Sequence, residues 1–365
     1  MLSLGLLASG LQAAYVNPAV FQQYPYDDSR LEDLSSQAKH AMVKVTKILA
    51  DAEVEGLGFA ASINGRKFVV TTRDMVEFAQ DITIQMPDDT LFRPAGVAWS
   101  RERDVAILTA PEINMMTDVL EFADSETVEG MGEKFAFLQY QNARNGQFRS
   151  IKAYIPQVFE ARFEVGMAVS VRESGFPVLD PDTGKVLGLA YTPTEGQELN
   201  LASMLVRPVL RGMPTQGEFY GIRLDNERNW EGYSFEKLQE AHKSLFETYR
   251  SIVQAGQFTG MQSQFSRMAP FSWKENEELD SLADNFREQL ARPNLSSQQR
   301  NLILSSMEFR LKGMLGAGLN DLESEQLPSY AEAAKKELRL LHQELMEHMD
   351  TSAAMSAAEQ NITRR

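Results

Sequence analysis

Between about residues 40 and 210, apolar side chains recur at every second position or in short runs broken by turn residues. A period of two marks strands with one buried face. It predicts strands at Ala41–Ile48, Gly58–Ile63, Lys67–Thr72, Ile82–Met86, Gly96–Trp99 and Asp104–Ala110. A second set follows a connector rich in Asp, Glu and Gly: Lys134–Gln141, Phe148–Phe159, Met167–Arg172, Lys185–Tyr191 and Leu201–Val206. Asn64-Gly65 predicts a two-residue hairpin, because both positions tolerate positive φ. Asp180-Pro181-Asp182-Thr183-Gly184 reads as a turn by composition. Two groups of short strands suit two small antiparallel barrels.

Beyond roughly residue 225 the period lengthens to that of a helix. Phe235, Leu238, His242, Leu245, Tyr249 and Ile252 follow at three- and four-residue steps behind Ser234, a candidate N-cap. Ser272 with Glu275, Ser296 with Gln299, and Ser329 with Glu332 each make a capping-box pattern. The last predicted helix carries Leu338, Leu341, Leu345 and Met349 on one face, and Gly256, Pro293 and Gly316/Gly318 punctuate the region. The expected organisation is an N-terminal arm over 1–35, a mainly β double barrel over 36–215, and an all-α region of about four helices over 225–360.

The stretch Leu2 to Ala14 is short, apolar and ends in small residues, like the apolar core and cleavage site of a secretory signal. It predicts a periplasmic or secreted protein, with a cytoplasmic one as the alternative. Only Met1 precedes it, with no Lys or Arg, and its other use is as an arm packing on the first barrel. No other run approaches the ~20 apolar residues that span a bilayer. The net charge of -15 sets the chain against nucleic acid and anionic lipid as main partners. With no cysteine, disulfides, thiolate catalysis and Cys-ligated zinc are excluded. No Gly-rich phosphate loop, His-x-Glu metal motif or dinucleotide fingerprint occurs, so no cofactor is expected. Asp88-Asp89 and Asp180/Asp182 lack EF-hand spacing and read as solvated loop tips.

Three stretches carry the chemistry. Val69 to Asp74, Arg103 to Leu108, and Glu173 to Val178 resemble, in order, the His, Asp and Ser corners of trypsin-like serine proteases. The resemblance spans roughly residues 40–210 and is nearest to the bacterial HtrA/Deg type. Gly56-Leu57-Gly58-Phe59 is similar to that type's Gly-Ser-Gly-Phe strand, and Thr71 to Glu77 to its Thr-Asn-Asn-His-Val-Val-Glu. Gly184 to Leu189 resembles the strand after the Ser loop. No PDZ-like strand pattern follows, which departs from that type.

The resemblance implies Ser174 as nucleophile, Asp104 as orienting acid, and an oxyanion loop through Arg172, Glu173 and Ser174. The base position, however, holds Asp74. A carboxylate of ordinary pKa, about 3.9, is a poor proton acceptor at pH 7 beside an imidazole at about 6.5. Asp74 close to Asp104 would set two like charges together, raising one pKa unless Arg73 or Arg172 neutralises them. The four histidines are His40, His242, His342 and His348, the last three in the helical region. The family's glycines two residues before and after the Ser are Arg172 and Phe176 here, and glycine permits backbone angles closed to residues with a Cβ.

These departures point to a catalytically inactive homologue that binds a protein or peptide partner or acts as a scaffold. An active serine endopeptidase using Ser174 with a non-standard base is the first alternative. A structural subunit that forms homo-oligomers through its C-terminal helices is the second.

Overall fold

The computed structural model describes residues 18–49, 52–142, 145–167, 174–192, 219–261 and 277–364. The first half-barrel is built from β1 (Met42–Leu49), β2 (Ala52–Ile63), β3 (Arg66–Thr71), β4 (Asp81–Gln85), β5 (Leu91–Phe92), β6 (Gly96–Ser100), β7 (Ala106–Thr109) and the short β8 (Leu120–Glu121). The second sheet holds β9 (Lys134–Gln141), β10 (Phe148–Ile155), β11 (Arg162–Glu164), β12 (Gly166–Met167), β13 (Pro177–Leu179), β14 (Val186–Tyr191) and β15 (Tyr220–Ile222). The chain then returns to the first sheet as an edge strand, β16 (Trp230–Ser234), against β6. Pairing runs β16-β6-β7-β3-β2-β1-β4-β5 in the first sheet and β11-β15-β14-β13-β9-β10-β12 in the second. All neighbours along both paths are antiparallel; β8, which lies off the path, runs parallel to β2. The expected architecture of two antiparallel β units followed by helices is the one observed. The Asn64-Gly65 hairpin forms as read, with φ of 50° and 76° joining β2 to β3.

Helices α1 (Asp28–Lys39) and α2 (Ser125–Glu129) accompany the sheets; α3 (Phe235–Phe258), α4 (Glu277–Leu290), α5 (Ser297–Ser324), α6 (Ala331–Met349) and α7 (Ser352–Arg364) form the C-terminal region. Ser234 caps α3 by accepting from the Lys237 N–H, and Ser296 and Gln299 close a reciprocal capping box on α5. The third box does not form. Tyr330 precedes α6, while the Ser329 N–H donates to the Glu231 carboxylate at 3.1 Å, so a strand residue takes the donor that the box would have used. Gly256, Gly316 and Gly318 lie inside helices rather than between them, because packing of the surrounding apolar residues overrides glycine's modest helix penalty. Among the described residues, five helices stand where about four were expected. Ser272 with Glu275, Leu201–Val206 and most of Met167–Arg172 fall outside the described residues. Helix α1 was not anticipated; Asp27 caps it by accepting from the Arg30 N–H at 2.8 Å, and Leu31, Leu34 and Ala38 bury one face.

The first sheet is covered on both sides. Successive strand residues point to opposite faces, so Val69 joins Phe78, Trp99, Leu245 and Leu338 in a core shared with the helices. Its neighbour Val70 joins Phe59, Phe137, Phe176 and Leu189 in a core shared with the second sheet and α1. Phe59 and Ala60 on β2 divide the same way. Double coverage explains why β3 ends in an unbroken buried run rather than an alternation. A smaller third core lies between α4, α5 and α7 around Phe286, Met307 and Ile362. Among the described residues, no helix is long and apolar enough to cross a membrane.

Candidate functional site

The three corners converge through one backbone group, the Leu57 carbonyl on β2. The Thr71 hydroxyl, at the end of β3, donates to it at 2.8 Å. Gly175, next to Ser174, presses on it from the second sheet. A Cβ there would collide with the Leu57 carbonyl oxygen and lie 3.0 Å from its carbon, and Gly175 has φ of +100°, open chiefly to glycine. Thr71 also pairs with Ala106 on β7, two residues past Asp104. The turns bearing Asp74, Asp104 and Ser174 thus leave the strands side by side.

Asp74 sits in a single 3-10 turn, Arg73–Met75, directly after β3. The buried Lys47 ammonium on β1 grips this turn from below, donating to the Asp74 carbonyl and, at 3.3 Å, to the Glu77 carbonyl. Arg73 pairs with buried Glu77 at 2.6 Å. Burial pushes the Glu77 carboxyl up, Arg73 and Lys47 pull it down, and the charge of Asp104 raises it again. Glu77 and Asp104 are therefore two carboxylates within each other's field. Glu77 lay within the resembling stretch but carried no role in the sequence reading; Arg73 four residues earlier is the signal that marked it.

Behind the turn stands His242 of α3, fully buried. Its Nδ1 lies 2.6 Å from the Ala79 carbonyl and its Nε2 2.5 Å from the Tyr330 hydroxyl. A carbonyl only accepts, so Nδ1 carries the proton and Nε2 accepts from Tyr330. Burial lowers this imidazole from 6.5 to about 4, with the nearby Lys47 charge adding to the effect. The Tyr330 ring meets Phe78 edge-on at 5.0 Å, and the Arg73 guanidinium lies 6.0 Å from its centre. His242 is a joint between sheet and helices, not a free base.

Asp104 is exposed on the loop between β6 and β7. Its neighbour Arg103 fixes that loop, pairing with Glu227 at 3.0 Å and donating to the Arg223 carbonyl and the Asn226 side chain at 2.7 Å each. Arg223 is itself buried and bound to Asp225 at 2.6 Å. Burial works to raise the Asp225 carboxyl, but hydrogen bonds from Arg223 and Ser125 outweigh it and hold the group below its ordinary value. This ionic knot ties the Asp104 loop to the segment that crosses from the second sheet to β16.

Ser174 is half-buried, and its Oγ accepts the Thr192 N–H at 3.0 Å. Arg172 and Glu173 lie outside the described residues. Phe176 does not need glycine's freedom: its φ is not positive, and its ring is buried against Tyr140 and Phe219. The remaining histidines are placed elsewhere. His40 is exposed at the C-terminal end of α1, His342 lies on α6 with its imidazole pulled down by burial, and His348 bonds the Thr259 carbonyl at 2.9 Å. Among the described residues no group of three or more His, Asp or Glu is placed to hold a metal ion.

A hydroxyl attached to this turn meets a substrate as a weak nucleophile unless a base takes its proton, a contribution of roughly 10²–10⁴ in rate. The turn after β3 carries the Asp74 carboxyl.

No protein-family model matches the chain, and no curated protein matches its sequence. Among solved structures, the Rv3671c protease from M. tuberculosis in its active form is similar at 17% identity, covering 61% of this chain and 89% of that one, with a TM-score of 0.42. The HtrA-type protease AlgW with a tripeptide is similar at 13% identity, covering 53% and 59%, with a TM-score of 0.39. The serine endoprotease from Yersinia pestis is similar at 14% identity, covering 53% and 62%, with a TM-score of 0.38. Superpositions this loose leave the assignment to the residues themselves.

Proposed function

We propose that this chain is a trypsin-like scaffold without peptidase activity, serving as a protein- or peptide-binding module. The observation that carries the reading is Asp74 at the base position, on a turn locked from beneath by Lys47. The placement of the histidines supports it: His242 has both ring nitrogens engaged, and the other three are exposed or held within the helices. In the related reaction the base must reach the Ser hydroxyl and accept its proton. Ser174 Oγ accepts a backbone N–H from Thr192, and no histidine among the described residues is placed to take its proton.

The second reading, a serine endopeptidase with a non-standard base, draws on Ser174 and Gly175. The Ser stays partly accessible, and the +100° turn beside it is kept against Leu57. A fluorophosphonate probe separates the two readings, read alongside casein cleavage. The expected result is no labelling and no cleavage above a Ser174→Ala control. Labelling together with cleavage, both abolished by Ser174→Ala, overturns the non-catalytic reading.

A further inference from the structure

Helix α5 is apolar on more sides than its own fold uses. Met307, Leu311 and Leu315 bury one face among the other helices. On the opposite face Leu302 is 66% exposed and Phe309 80% exposed, the most exposed large apolar side chain among the described residues. Apolar residues on two opposite faces of one helix are more than a single packed face covers. Gly313 and Gly316 lie on this outer face, and a Cβ at either would meet nothing within 4 Å. Each glycine costs a helix interior roughly 1 kcal/mol relative to alanine, yet no neighbour among the described residues requires its small size.

The outer face also lacks charge. At 100° per residue, Leu302, Ser305, Ser306, Phe309, Gly313 and Gly316 fall on one stripe with no ionisable group among them. The flanking charges are held to the sides: Lys312 pairs with Glu308 and Asp350, and Arg310 lies 5.8 Å from the Phe286 ring centre. On a chain of net charge -15, such a stripe is where a second copy approaches at least Coulomb cost. Its order is also self-complementary. With a two-fold axis at the level of residue 311, antiparallel α5 helices set Phe309 of each copy over Gly313 of the other. Ser306 then lies beside Gly316. A closed two-fold contact of this kind uses one patch twice and needs no second surface.

We infer that two copies of this chain associate through antiparallel α5 helices, with Phe309 seated in the gap above Gly313 of the opposite copy. This pairing does not depend on whether Ser174 is active.

Sedimentation of the full chain over a range of concentrations tests it. The wild type should shift from monomer towards twice the monomer mass as concentration rises. Phe309→Glu should weaken association at least about 100-fold, because each dimer loses two buried rings and gains two buried charges. Its circular dichroism should match wild type, since the side chain is exposed within the monomer. The cysteine-free chain makes orientation readable. Ser306→Cys with Gly316→Cys should give a disulfide-linked dimer on mild oxidation. Ser306→Cys alone should not, since antiparallel helices hold the two copies of position 306 about 15 Å apart along the axis. A monomeric wild type at every concentration overturns the proposal and leaves the stripe to a different protein. Equal association of Phe309→Glu, or efficient linkage by Ser306→Cys alone, overturns it as well.

Discussion

The Asp74 corner and the Ser174 corner leave the same part of the molecule and are held by different forces. Around Asp74, buried ionic and hydrogen-bonded groups do the holding: Lys47 from below, Arg73 with Glu77 along the turn, and Tyr330 with His242 from the helices behind. Around Ser174 the described contacts are those of the backbone, with Gly175 folded against Leu57 and the Thr192 N–H on Oγ. An imidazole that shuttles protons needs one ring nitrogen free to exchange. The imidazole behind the Asp74 turn, His242, has both nitrogens engaged and joins sheet to helices.

That contrast can be broken by substitution. Arg73→Ala should have the largest effect, about 4 kcal/mol of lost stability in urea unfolding, because it leaves the Glu77 carboxylate buried without its partner. Adding Glu77→Gln to it should recover part of the loss. Gly175→Ala should cost about 3 kcal/mol in the same assay, combining a +100° φ with a clash against Leu57. If Arg73→Ala proved milder than Gly175→Ala, the ionic corner would not be the tighter one.

A third measurement sharpens the contrast through pH. His242 is lowered from 6.5 to about 4 in the folded protein, so below 6.5 the unfolded chain binds the extra proton. Its contribution to stability is complete above pH 6.5 and is lost as pH falls towards 4. Between pH 6.5 and 5 that amounts to about 2 kcal/mol. Glu77, raised by burial, acts in the opposite sense, favouring the fold as pH falls through its folded value towards 4.5. The His242 part is therefore the difference between wild type and His242→Gln, and an equal pH slope in both proteins would remove it.

Much of the fold was legible because local signals and burial agreed. The Asn64-Gly65 turn, the Ser234 cap and the Ser296 box each act within a few residues, where sequence spacing is spatial proximity. Ser329 misled because its N–H found Glu231, 98 positions away in the chain, a partner no local pattern contains. Strand β16 and helix α1 were missed for a related reason: Trp230–Ser234 is an edge strand with one partner, and α1 is short with sparse apolar positions. At the candidate site, the order of Asp74, Asp104 and Ser174 was readable. The pairing of Arg73 with Glu77 lay within reach of a four-residue spacing, but the burial of that pair was not, since the ring of Tyr330 reaches Arg73 only once the helices fold onto the sheet.

The two-sided first sheet has a consequence for heredity. Val69 and Val70 answer to different cores, one closed by the helices and one by the second sheet. A gene fragment ending before Trp230 would encode a sheet with a missing edge and a bare face around Phe78 and Trp99. Such a piece is poor material for shuffling between proteins, since neither half is complete as a module. Because sheet and helices share one core, a substitution on either must be tolerated by the other.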